Sequence, residues 1–137
     1  EPIVPQGSAL GASNISVSAD IVVKSAGMDV GDFGHIFING RNISPEEVGY
    51  NMVALDPTTG LILDRRAFNT FASAGASVAM ESWIRRLADG TVVAVAVRDE
   101  ASRYLTAGAV AALRTLGLEG DLRGRFRWSH AAIGAKG

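Results

Sequence analysis

The chain has 137 residues, 47% of them hydrophobic, which suits a single domain with its own core. Thirteen basic and fourteen acidic residues give a net charge of −1, which argues against nucleic acid as a partner, and no apolar stretch is long enough to insert directly into a membrane. The absence of cysteine excludes disulfides and thiolate metal sites, and two histidines, His35 and His130, are too few for a multi-histidine centre, so no metal or cofactor is expected.

The first part of the chain predicts a tail and two strands. Residues 1–13, EPIVPQGSALGAS, contain two prolines and several small residues and are typical of a linker or tail, which places the domain at residues 14–137. In NISVSADIVV, apolar residues from Ile15 to Ile21 alternate with polar ones, as in a half-buried strand. HIFINGRNIS predicts a short strand that meets Asn39-Gly40, a favoured hairpin pair, with His35 on the hairpin rather than at a metal site.

The middle of the chain predicts a hairpin and then a helix. Two apolar runs in YNMVALDPTTGLILDRRAF are separated by DPTTG, whose proline and glycine favour a turn. SVAMESWIRRLADG changes to helical spacing, and its stripe consists of Met80, Trp83, Ile84 and Leu87. We therefore expect Trp83 to pack in the core.

The last third predicts a buried strand, a second helix and a closing strand. TVVAVAV is apolar on both faces, as a central strand is. YLTAGAVAALRTLG has apolar residues at helical spacing, namely Leu105, Ala109, Ala112, Leu113 and Leu116. RFRWSHAAIGAKG alternates as a strand does. This mixture of elements predicts an α+β domain with helices packed on strands.

A charged cluster, Arg98, Asp99 and Glu100, follows the buried strand and allows two interpretations. In one, Asp99 or Ser102 caps the next helix, whose first amide groups need acceptors, and the other charges are solvated. In the other, the cluster forms the polar wall of a binding site, because sites gather where loops leave the ends of strands. The residues alone do not choose between them.

The closing segment carries arginines at alternate positions, Arg123, Arg125 and Arg127. If the segment is extended, their guanidinium groups point to one face, which is either a solvated strand face or a patch for a polar ligand. Trp128 falls on the opposite side of the alternation and is expected to pack inward. No nucleophile–base set and no phosphate-binding loop is evident, so no enzymatic activity is predicted.

Four segments in order carry a family resemblance: FINGRNI, NMVALDPTTGLILDRRAFNTF, LADGTVVAVAVRDEAS and WSHAAIGAKG. This series resembles the interleukin-like EMT inducer family, also called PANDER-like, from about Asn14 to Gly137. The resemblance implies a compact, β-sandwich-like α+β domain of two mostly antiparallel sheets flanked by short helices. It also implies a non-catalytic role.

The resemblance further implies a site for carbohydrate. The family includes cytokine-like proteins and the stem domain of protein O-mannose N-acetylglucosaminyltransferase, which holds N-acetylglucosamine-type glycans for a separate catalytic domain. We therefore expect a carbohydrate-recognition domain of a larger exported or surface protein, located outside the cell or at its surface. The ligand-binding residues implied are Asp99 and Arg127, with Arg125, Trp128 and His130 as neighbours.

Departures from the family pattern keep a second function in view. Val48-Gly49 stands where members commonly carry Arg-Gly, and the final strand has Trp128 and His130 where members have Asp and Trp. The alternative is a structural protein–protein interaction domain in a surface or viral assembly, which would use its sheet edges for contacts. The partner is then a protein rather than a glycan.

Overall fold

The computed structural model describes residues 3–4, 19–27, 33–70, 72–99, 104–118 and 131–137. The strands within these ranges are β1 (Ile3–Val4), β2 (Ile21–Gly27), β3 (Phe33–Ile38), β4 (Arg41–Asn42), β5 (Gly49–Leu55), β6 (Ile62–Phe68), β7 (Val92–Asp99) and β8 (Ala131–Ala135). The helices are α1 (Ala74–Arg85) and α2 (Ala107–Arg114). Neither helix of the described part of the chain is long and apolar enough to cross a membrane.

The strands form two antiparallel groups that join at one point. The front sheet consists of β1 to β4, in the order β4-β3-β2-β1, and the central sheet consists of β5 to β8, in the order β6-β5-β7-β8. A short parallel pairing of β2 with β7, Ala26 opposite Arg98 and Gly27 opposite Asp99, connects the two. The predicted fold class, two mostly antiparallel sheets flanked by short helices, is confirmed.

The two middle strands of the central sheet, β5 and β7, are buried on both faces, as the apolar TVVAVAV run predicts for β7. Met52 and Val95 pack in a cluster with the two helices, whereas Val53 and Ala94 pack against the front sheet. Successive side chains of a strand point to opposite faces, so these neighbouring residues supply two separate cores. The molecule therefore has three layers: front sheet, central sheet and helices.

Both predicted hairpins are present. In the first hairpin, Asn39 and Gly40 have φ of 51° and 84°. Positive φ at both central residues is what a type I′ turn, a common two-residue hairpin turn, requires. In the second hairpin, Oδ1 of Asp56 accepts from the amides of Thr58 and Thr59 at 2.8 and 3.1 Å. The alternation predicted for the first strand also holds within the described residues, since Ala19 and Ile21 are buried and Asp20 is exposed.

The helices carry the predicted apolar residues but differ in extent from the predicted stripes. Helix α1 begins earlier, at Ala74, where Oγ of Ser73 accepts from the Ala76 amide at 3.2 Å. Met80, Trp83 and Ile84 are buried, and Leu87 lies just past the helix. The stripe predicted for α2 is buried as well, although its first and last members, Leu105 and Leu116, flank the helix.

Candidate functional site

Asp99 is the last residue of β7, at the point where the two sheets join. The structure describes its backbone, which pairs with Gly27 of β2, while Arg98 lies opposite both Ala26 and Gly49. The charged cluster that begins at Arg98 therefore starts inside strand β7 and not in the loop after it. This location is a strand end, where binding residues are commonly found.

The interpretation of Asp99 or Ser102 as the cap of α2 is wrong. The N-cap is Thr106, whose Oγ1 accepts from the Ala109 amide at 3.1 Å. The helix begins later because the chain before it is anchored on the core: the Tyr104 amide donates to Thr70 O at 2.8 Å, and Leu105 is buried. Thr106 therefore takes the capping role at α2, and the role of Asp99 as a ligand residue stays a prediction.

The other implied ligand residues, Arg125, Arg127, Trp128 and His130, lie outside the described residues, as does Arg123. What the structure does place is the strand that follows them. β8 begins at Ala131, which lies opposite Ala96 of β7, and runs antiparallel until Ala135 lies opposite Val92. The first residue of β8, Ala131, thus lies opposite a residue of β7 that precedes Asp99 by three positions.

A polar cluster that sequence reasoning missed surrounds Glu46, in the loop between β4 and β5. Its carboxylate accepts from the Gly34 amide at 3.0 Å and from Nδ2 of Asn42 at 2.9 Å, and it contacts Nδ1 of His35. Burial would raise the pKa of Glu46, but the hydrogen bonds from Asn42, Gly34 and His35 outweigh it and hold that pKa below its ordinary value. His35 lies on the predicted hairpin, and the described residues contain no metal-binding group of three.

The backbone of the same loop is fastened to the end of β7. Glu46 has a positive φ of 56°, and its carbonyl accepts from Nη1 of Arg98. The amide side chain of Asn51, which is fully buried, accepts from the Glu47 amide at 2.9 Å and donates to Ala96 O at 3.2 Å. These contacts hold Arg98 in place immediately before Asp99. No local sequence signal reveals the contacts of Arg98 with Glu46 and of Asn51 with Ala96, because those partners lie 52 and 45 residues apart in the chain.

A groove lies on the open side of the sandwich, between the edge strands β4 and β6. It has a volume of about 310 Å³ and is lined by Arg41, Asn42, Ile43, Ile62 and Arg65. Nε of Arg65 donates to Ile43 O at 2.9 Å across it. On β6 the groove extends from Ile62, which pairs with Leu55, to Arg65, which pairs with Val53 in the middle of β5, whereas Arg98 pairs with Gly49 at the other end of β5.

Several residues of the family signature have structural roles. A Cβ on Gly134 would lie 2.1 Å from Leu116 O, and one on Gly49 would lie 2.3 Å from Phe68 O, so neither position accepts a side chain. Nζ of Lys136 donates to Leu87 O at 3.1 Å, just past the end of α1, where a positive charge is favoured. Gly134 and Lys136 thus attach β8 and the residues after it to the chain at the ends of both helices.

The three layers and these close contacts define an α+β domain in which a two-sided central sheet is the core. The family model for the interleukin-like EMT inducer matches residues 48–137. The chain belongs to this family, as the sequence resemblance indicated. Membership indicates a protein-interaction or stem-like domain.

Proposed function

We propose that the chain is a non-catalytic glycan-recognition domain of a larger exported or surface protein. One observation carries the proposal: β8 begins opposite Ala96, three residues from Asp99 on β7. Three residues of a strand span roughly 10 Å. Arg127 precedes Ala131 by four residues, a reach of roughly 14 Å. The chain connection therefore allows Arg127 and Asp99 to contact one ligand.

The chemistry of the pair suits a sugar. A carboxylate such as that of Asp99 accepts hydrogen bonds from two neighbouring hydroxyls, and a guanidinium such as that of Arg127 donates two in a fixed fork. Arg125 shares the predicted strand face of Arg127 and supplies a further donor. Trp128 and His130 fall on the other face of the alternation, and Trp128 offers its ring to the apolar side of a sugar only where the segment departs from an extended strand. N-acetylglucosamine-containing glycans are the first class to test.

The test is a glycan array with the Asp99→Asn and Arg127→Ala variants beside the parent domain. Two matched controls make the same chemical changes elsewhere: Asp89→Asn and Arg114→Ala, both at exposed positions. We expect selective binding that the first two variants lose and the two controls keep, with all variants folded by circular dichroism. Absence of binding by the parent domain, or binding retained by both site variants, would refute the proposal.

A further inference from the structure

The start of β6 exposes three large apolar residues in a row. Leu61, Ile62 and Leu63 are 65%, 45% and 58% exposed, although the neighbouring strand β5 is buried on both faces. An exposed apolar run at the edge of a sheet is a candidate contact surface. The charges of β6, Asp64, Arg65 and Arg66, follow this run and do not interrupt it.

Strand β6 also has an open edge. Within the described residues it pairs with β5 on one side, and those residues offer no strand partner for its other side. Ile62 and Arg65 of this strand line the groove between β4 and β6. An extended segment of another chain that added to β6 would continue the sheet and lie along this groove.

The positive charge of the groove indicates which kind of peptide segment would bind there. Arg41 and Arg65 both line the groove, and the hydrogen bond from Arg65 to Ile43 O holds its guanidinium there. Arg66, the next residue of β6, pairs with Asp64 at 3.0 Å. A second copy of this chain added antiparallel about the middle of β6 would bring Arg65 opposite Arg65, which is unfavourable. An acidic segment complements the same surface.

We propose that the open β4–β6 side binds an extended segment of a partner protein in which apolar and acidic residues alternate. The segment adds as a strand to β6, its apolar side chains pack beside the exposed run Leu61–Leu63, and its carboxylates face Arg41 and Arg65 of the groove. The surface shares no residue with the proposed glycan site, so either proposal can fail without the other.

Fluorescence anisotropy with labelled synthetic peptides tests this directly. The probe alternates valine and glutamate over about eight residues, close to the length of a strand. One control peptide replaces glutamate by lysine, and a second carries N-methyl groups at alternate residues, which removes the hydrogen bonds of strand addition and leaves the protein unchanged. We expect the valine–glutamate peptide to bind at least about tenfold more tightly than either control.

Protein variants assign the binding to the groove. The double variant Arg41→Glu/Arg65→Glu should weaken the valine–glutamate peptide about tenfold and strengthen the lysine peptide. The matched control, Arg86→Glu/Arg114→Glu, makes the same change at exposed arginines of the two helix ends and should leave both affinities unchanged. No binding by the folded parent protein, equal binding of the two charged peptides, or an unchanged affinity in the groove variant would overturn the proposal. So would light scattering that shows a dimer of the parent protein and a monomer of the groove variant.

Discussion

Replacing Glu46 by glutamine tests whether its carboxylate fastens the loop between β4 and β5. The carboxylate accepts from the Gly34 amide at 3.0 Å and from Asn42 at 2.9 Å. A hydrogen bond to a charged group contributes about 1.5–3 kcal/mol, and solvent reduces this because the side chain is 29% exposed. Glutamine keeps one oxygen acceptor and loses the charge. We expect Glu46→Gln to lower the free energy of unfolding at neutral pH by about 1–2 kcal/mol, or Tm by roughly 4–8 °C.

The same interaction sets the direction of a pH dependence. Burial opposes ionisation, but the hydrogen bonds to the carboxylate prevail, so the pKa of Glu46 in the folded state lies below its ordinary value of 4.5. The unfolded state then binds the proton more readily than the folded state. The stabilisation is therefore present in full above the ordinary glutamate pKa and is lost as the pH falls through the lowered pKa. The difference between the parent protein and Glu46→Gln should shrink in acid.

The assay is urea unfolding of both proteins at several pH values from 7 downward. Glu47→Gln is the matched control, because the Glu47 side chain is exposed and its replacement should change the stability by less than about 0.5 kcal/mol. If the cost of Glu46→Gln is the same in acid as at neutral pH, the carboxylate does not carry the stabilisation. A cost of Glu47→Gln equal to that of Glu46→Gln would refute the argument as well.

Three further substitutions test individual contacts: two at glycines and one at the hydrogen bond from Trp83 to Asp64. Gly134→Ala should abolish folding or cost more than about 3 kcal/mol by urea unfolding, because its Cβ would lie 2.1 Å from Leu116 O. Gly75→Ala in α1 meets only Ser73 Oγ, at 3.8 Å, and should raise the stability by about 0.5–1 kcal/mol in the same assay. Trp83→Phe removes the donor that lies 2.9 Å from Asp64. Because that hydrogen bond is the main cause of the lowered Asp64 pKa, an NMR titration should show the pKa rising, and an unchanged value would contradict the assignment.

Local patterns predicted the elements whose side chains follow a simple rule, such as the helical stripe of α1 and the uninterrupted apolar run of β7. Met80, Trp83 and Ile84 repeat at helical spacing because one face of α1 contacts the central sheet. The start of α1 at Ala74 was missed since its first turns consist of small residues with no clear apolar stripe. The sequence prediction placed the cap of α2 at Asp99 or Ser102, because aspartate and serine are good capping residues. The helix begins later because Tyr104 and Leu105 first contact the core, which the local sequence does not show.

Contacts between distant residues could not be predicted. Glu46 and Glu47 look alike in the sequence, yet only Glu46 reaches Gly34 and Asn42, and this difference follows from the close approach of β3 to the loop. LILDRRAF looks like a buried strand by its apolar start, but Leu61 and Leu63 are exposed because β6 is at the edge of its sheet. The positions of the strands in the fold decide both which glutamate is hydrogen-bonded and which leucines are exposed, and the local sequence does not give those positions.

The layered architecture limits where this domain can recognise other molecules. One face of the central sheet is covered by helices and the other by the front sheet, so binding on this sheet is left to strand ends and edges. The register places Arg98 beside Gly49 and places Leu55 beside Ile62, at opposite ends of β5. Six residues of strand separate these ends, a distance of roughly 20 Å. Strand β5 lies between β7 and β6, so a glycan at the end of β7 and a peptide strand added to β6 would contact different strands. Under the two proposals, the domain therefore holds a glycan and a peptide on different strands of the same sheet.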